Sequence, residues 1–108
     1  VAVLQGSSDK RPDWLVEVSA QGSVRLTPLA RTEVGPRQAL ELWTRPDGAP
    51  APVSLGLVAA DRSTLIPPDR LPGIGARQFF AVSLEPESGS PTGSPTGPVL
   101  AAGESVRL

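Results

Sequence analysis

Four residue types that carry much of protein chemistry are missing from this chain, which contains no cysteine, histidine, methionine or tyrosine. Without cysteine there is no disulfide, no thiolate nucleophile and no thiol redox switch. Without histidine the chain lacks ordinary zinc sites, Ser-His-Asp and Cys-His catalytic sets, and the usual side chain that titrates near neutral pH. Several classes of enzyme and metal protein are therefore excluded for these residues.

Long apolar runs and an excess of one charge are also lacking. No run approaches the ~18 residues that a membrane-spanning helix needs, and no signal-peptide pattern is present. Ten basic residues stand against eleven acidic ones, and no basic stripe supplies the positive field that nucleic-acid binding requires. The sequence starts at Val1, which favours a piece of a longer protein, with a processed mature terminus as the alternative.

What the chain does have is dispersed proline and glycine. The 108 residues include 13 prolines and 11 glycines, which break or weaken helices wherever they fall. Short runs of alternating apolar residues lie between these turn signals, a pattern typical of sandwiches and barrels. The length and a hydrophobic fraction of 39% suit one domain with its own core. The sequence therefore predicts an all-β domain.

The alternation predicts seven or eight strands, which favour a two-layer antiparallel β-sandwich, with a partly closed barrel as the alternative. The strands are expected over residues 13–19, 23–27, 38–44, 53–58, 63–66, 78–85, 99–102 and 105–108. Turns are expected at 20–22, 45–48 and Gly103, and a loop at 67–75. Residues 1–12 are assigned to an N-terminal lead-in and 13–108 to the sandwich. The expected core residues are Leu40, Leu42, Val53, Leu55, Phe80, Val82 and Leu84.

Candidate chemistry is sparse, and each signal has a simpler interpretation. The strand carboxylates, Glu41 and Glu85 among them, could pair as in a glycosidase, but strand carboxylates usually form only the solvated face. The aspartates are scattered singly in turns rather than clustered for calcium, and 73–76 lacks the Lys-Ser/Thr of a phosphate loop. Trp14 and Trp43 could form a carbohydrate platform, although packing in a small core is favoured. We expect no enzyme activity, cofactor or metal.

One segment is repetitive, with Ser-Pro-Thr-Gly at 90–93 followed at once by the same four residues at 94–97. Because the stretch lacks large apolar side chains, it predicts an exposed connecting loop held at its ends by Leu84, Val99 and Leu100. A partner-recognition role is the sharper alternative. The residues that would carry it are Ser90, Pro91, Thr92, Gly93, Ser94, Pro95 and Thr96.

The order of these motifs resembles the C-terminal domain of the anti-sigma-K factor family. The resemblance rests on Ala-Leu-Glu-Leu-Trp at 39–43, Pro-Asp-Gly-Ala-Pro at 46–50, Ala-Val-Ser-Leu-Glu-Pro at 81–86 and the Ser-Pro-Thr element that follows. It covers roughly residues 13 to 103. Ser88-Gly89 stands where the family tends to have Gly-Gly, and Ala-Leu-Glu at 39–41 replaces a strand that often contains tyrosine.

The resemblance implies a regulatory domain outside the membrane, following a cytoplasmic sigma-binding domain and one membrane helix. Sigma factor release would then proceed by regulated proteolysis, with a first cut by a site-one protease. The expected partners are a sigma factor and the membrane, each through segments upstream of this chain, and that protease. The localisation implied is extracytoplasmic. The alternative function is a carbohydrate- or protein-binding β-sandwich module of a secreted protein.

Overall fold

The computed structural model describes residues 2–6, 12–19, 23–29, 32–46, 51–67 and 77–106, and within them it contains eight strands and no helix. No helix that could cross a membrane occurs in these ranges. The strands are β1 Ala2–Gly6, β2 Pro12–Val18, β3 Val24–Pro28, β4 Gln38–Pro46, β5 Val53–Val58, β6 Thr64–Ile66, β7 Arg77–Pro86 and β8 Val99–Val106. The all-β prediction is confirmed.

All eight strands pair antiparallel in one sheet, in the order β5-β4-β7-β8-β1-β2-β3-β6. In an open, flat sheet the two edge strands would lie about 34 Å apart. Yet β5 and β6 are consecutive in the chain, and the five residues at 59–63 can span at most about 20 Å. The sheet must therefore curl until its edges approach. Its two halves face each other as sandwich layers do, but they are joined in one nearly closed sheet.

The inner face of the curled sheet forms the core. In β2 the predicted alternation places Trp14 and Val16 in the interior, and β3 does the same with Val24 and Leu26. Every strand contributes to this cluster, so no part of the sheet has a separate core. Its members are Leu4, Trp14, Val16, Val24, Leu26, Leu40, Leu42, Leu55, Ile66, Phe80, Val82 and Ala101.

Two apolar residues expected inside are largely exposed, and bulges or strand ends explain both. Val53 pairs with Thr44 at the end of edge strand β5 and is 43% exposed. Ala101 of β8 pairs with Val82 of β7, but the next pair along the strands is Val99 with Ser83, so Leu100 is skipped. This irregularity turns Val99 to the outer face, where it is 40% exposed. Leu84 and Leu100 pack against the core as expected.

The two ends of the chain differ most from the prediction. Residues 2–6 form β1, a strand that the sequence did not predict, and it pairs with both β2 and β8. The turn predicted at Gly103 is wrong, because β8 runs unbroken from Val99 to Val106. A Cβ at Gly103 would overlap the Val3 carbonyl oxygen. This glycine therefore permits β1 and β8 to approach closely, rather than reversing the chain.

Some predictions concern residues outside the described ranges. They include the turn at 20–22, residues 47–48 of the turn at 45–48, the loop at 67–75 beyond Pro67, and the last two residues of the final strand. The Gly-Ile-Gly-Ala segment at 73–76 and the aspartates at 9, 47 and 69 also lie there.

Candidate functional site

The outer face of β4 and β7 carries a buried polar cluster. Glu41 and Trp43 alternate with the core residues of β4, and Ser83 and Glu85 alternate with those of β7, so all four side chains point away from the core. The sequence interpretation of the two carboxylates as a solvated face is wrong. Glu85 is only 1% exposed and Glu41 only 6% exposed.

Glu85 is held by hydrogen bonds from two sides. From its own strand, Ser83 donates its hydroxyl to Glu85 Oε2 over 2.6 Å. From the segment after the strand, Thr96 donates its amide to Oε2 over 3.1 Å and its hydroxyl to Oε1 over 2.5 Å. The Gly97 amide donates to Oε2 over 3.2 Å. A carboxylate that accepts this many hydrogen bonds is an anchor for the chain that donates them.

These contacts determine how Glu85 ionises. Burial opposes the charged form of the carboxyl, but the hydrogen bonds from Ser83, Thr96 and Gly97 together outweigh it. They lower the pKa of Glu85 below its ordinary value. The side chain is therefore an anion at neutral pH, and its charge strengthens each hydrogen bond it accepts.

Glu41 is the second anchor. Its Oε1 accepts the backbone amide of Ser90 over 2.8 Å, and its Oε2 accepts the hydroxyl of Ser54 from β5. Just before Ser90, Gly89 adopts φ +92°, a conformation that L side chains rarely adopt. A Cβ at Gly89 would lie 3.5 Å from Glu41 Oε1, so the backbone passes close to the carboxylate.

Trp43 completes the cluster. Its indole N–H donates to the Ser83 hydroxyl over 2.8 Å, and that hydroxyl in turn donates to Glu85. Trp43 is 1% exposed, as the core interpretation required. Unlike Trp14, however, it lies on the outer face of the sheet and outside the main core cluster.

We call residues 87–98 the strap, because they fold back over this face. The strap leaves β7 with Glu87 N donating to Arg37 O over 3.1 Å, and it crosses Glu41 and then Glu85. It returns to the sheet where Leu84 N donates to Pro98 O over 2.9 Å. A Cβ at Gly97 would overlap the Leu84 carbonyl oxygen. The strap therefore lies flat on β7 at this glycine.

The seven residues of the predicted recognition loop all lie in the strap, and Pro95 among them is half-buried. Ser90 and Thr96 reach the two carboxylates. Residues 91–94 are exposed and form local bonds, such as Thr92 Oγ1 to Ser94 O over 3.1 Å and the Ser90 hydroxyl to Ser94 O. Partner recognition by these residues stays a prediction.

Sequence reasoning missed the anchors, although a signal was present. Glu41, Trp43, Ser83 and Glu85 occupy alternate positions on strands that pair with each other, and a segment rich in Ser, Thr and Gly follows Glu85 directly. Such residues supply backbone and hydroxyl donors that a buried carboxylate requires. Among the described residues, no group of three side chains is arranged to hold a metal ion.

Comparison with known protein families gives a match over most of the chain. The family model described as anti-sigma-K factor rskA, C-terminal, matches residues 1–99. That range includes all strands from β1 to β7, both carboxylate anchors and the whole strap. No curated protein and no solved structure matches the chain significantly.

Proposed function

The chain belongs to the anti-sigma-K factor family as its C-terminal domain, and on this premise we propose that it is an extracytoplasmic sensor that controls sigma factor release through regulated proteolysis. The family is one of membrane-associated anti-sigma factors, whose partner is a sigma factor, and its role is regulatory. In this proposal a cytoplasmic domain binds the sigma factor, a membrane helix tethers the protein, and a site-one protease makes the first cut.

The observation that carries the proposal is the way the strap is attached. It is held to the outer face by hydrogen bonds to Glu41 and Glu85, while the main core lies on the other side of the sheet. Breaking those bonds would free the strap without opening the core. A local opening that leaves the core intact is the kind of change that a signal can shift.

The alternative of a carbohydrate-binding module loses its support. That alternative needed an exposed tryptophan on which a sugar could stack, and both Trp14 and Trp43 are 1% exposed. The docked strap is thus the feature that favours a regulated domain over a binding platform.

The test uses the full-length protein in its own cell envelope. Glu85→Gln keeps the shape of the side chain but removes its charge, and Thr96→Val removes one donor to it. Both variants should raise the cleaved fraction in the absence of a signal, as measured by immunoblot, together with expression from a sigma-dependent reporter. The matched control is Thr92→Val, whose hydroxyl bonds within the strap. Unchanged cleavage in both anchor variants, with the strap shown to be released, would refute the proposal.

A further inference from the structure

The strap contains the same tetrapeptide twice, and the second copy supplies the donors to Glu85. These donors are the Thr96 amide, the Thr96 hydroxyl and the Gly97 amide. The first copy offers the same three donors in the same order on Thr92 and Gly93. From this duplication we infer that the strap docks on Glu85 in two registers four residues apart, the second with Thr92 and Gly93 in the places of Thr96 and Gly97.

Docking on Glu85 requires a glycine after the threonine, and both copies of the tetrapeptide have one. Because a Cβ at Gly97 would overlap the Leu84 carbonyl oxygen, the residue after the docked threonine must be glycine. Gly93 satisfies that condition. In the register observed here, a Cβ at Gly93 would meet no atom of the described residues within 4 Å. Close packing therefore does not require the absence of a side chain at position 93 in the observed register, but it does in the shifted register.

The chain is long enough for the change. Thr92 lies seven positions after Glu85, a separation that can span about 24 Å, whereas the docked threonine needs only to return to Glu85 itself. Residues 95–98 would then loop out between Ser94 and Val99, so the pairing of β8 with β7 is retained. Moving four residues from one side of the anchor to the other changes the loop-closure entropy only slightly.

One contact favours the observed register. Glu41 accepts the Ser90 amide, which the shift would pull away, whereas at the Leu84 amide Ser94 O would take the place of Pro98 O. The shifted register is therefore the less populated of two states of the strap. A partner that binds residues exposed in only one register would raise the population of that register. The inference concerns the strap itself and does not rest on the proposed function.

The first experiment is a double-mutant cycle read by hydrogen exchange of the Leu84 amide in the 108-residue chain. Gly97→Ala blocks the observed register. Gly93→Asn blocks the shifted one and suits the positive φ of +77° at that position, because asparagine tolerates this conformation. We expect no change for Gly93→Asn and at most about tenfold faster exchange for Gly97→Ala. For the double variant we expect about a hundredfold, since the charge-assisted bonds from the strap to Glu85 are then lost in both registers.

The same cycle can overturn the inference. If Gly97→Ala alone exchanges as fast as the double variant, the strap has only one register. If Gly97→Ala fails to fold, NMR measurements of conformational exchange on the unmodified chain decide between one register and two. The signals to follow are the amides of Thr92, Gly93, Thr96 and Gly97. Removing Ser94–Gly97 leaves one Ser-Pro-Thr-Gly copy and one register. Millisecond exchange in the unmodified chain that disappears in this variant and in Gly93→Asn supports two registers, and its absence from the unmodified chain refutes them.

Discussion

At the scale of single residues, Glu85 combines two properties that rarely occur together, since it is buried and it is charged. Carboxylates are seldom fully buried unless they are paired. Among the described residues, the compensation comes from hydrogen bonds donated by Ser83, Thr96 and Gly97. The strap and the carboxylate therefore depend on each other, because the strap has few apolar groups to hold it and Glu85 would otherwise be desolvated without partners.

Replacing Glu85 with glutamine should destabilise the domain. The glutamine side chain keeps one acceptor oxygen, but it places an NH2 donor where the donors of the strap converge. We therefore expect the free energy of unfolding to fall by about 2 kcal/mol. Urea denaturation measures it. The control is Glu17→Gln on the exposed outer face of β2, where the change should stay within about 0.5 kcal/mol. Equal effects at both positions would contradict the anchoring role.

The same residue should make stability depend on pH in the acid range. Since the pKa of Glu85 is lowered in the folded chain, its contribution is fully present above the unfolded pKa of about 4.3 and is lost as the pH falls through the folded pKa. The stability difference between the unmodified chain and Glu85→Gln should therefore be constant from pH 7 to about pH 5 and shrink below about pH 4. A difference that grows on acidification would be inconsistent with this ionisation.

At the scale of secondary-structure elements, glycines play different roles in β8 and in the strap. Gly103 lies inside β8, where its missing side chain leaves room for the Val3 carbonyl of β1. Gly93 lies in the strap with open space around it but with φ +77°. One glycine is required by a close approach of two strands, and the other by its backbone conformation.

Alanine substitutions should separate these two requirements. Gly103→Ala places a methyl group against the backbone of β1, which has little freedom to move, and we expect a loss of more than about 3 kcal/mol in the free energy of unfolding. Gly93→Ala should cost only about 1 kcal/mol, the penalty for an L residue at positive φ. Thermal and urea unfolding of both variants provide the comparison. A smaller loss at Gly103 than at Gly93 would show that β1 and β8 can separate at low cost.

At the scale of the whole molecule, β1 joins the two halves of the sheet. It lies between β8, which continues to β7, β4 and β5, and β2, which continues to β3 and β6. Without it the sheet would have two further open edges, which are prone to pair with other chains. The pairing of β1 with β8 also brings together segments from opposite ends of the chain, so the fold is rich in long-range contacts and should fold slowly.

Neighbouring residues of β1 test this role. Leu4 is fully buried in the core cluster, whereas Val3 is 44% exposed. Leu4→Ala should lower the free energy of unfolding by about 3 kcal/mol, while Val3→Ala should lower it by less than about 1 kcal/mol. Chemical denaturation followed by tryptophan fluorescence measures both. If Leu4→Ala were as mild as Val3→Ala, β1 would be an appendage to the sheet rather than part of its core.

The strand content could be predicted from local sequence alone, because a period of two and dispersed proline are local properties that leave few other structures open. Most strand bounds and the burial of Trp14, Leu40 and Phe80 followed from that pattern. The motif order also pointed to the family that the comparison confirms.

Tertiary structure decided what depends on contacts between distant residues. The role of Gly103 is set by Val3, about a hundred positions away, and alternation cannot reveal such a neighbour. The same limit applies to Glu85, since a strand carboxylate has the same local pattern whether water or a strap covers it. Only the curled sheet, which places Glu41 beside Glu85's strand and returns Thr96 to the outer face, converts two ordinary carboxylates into anchors.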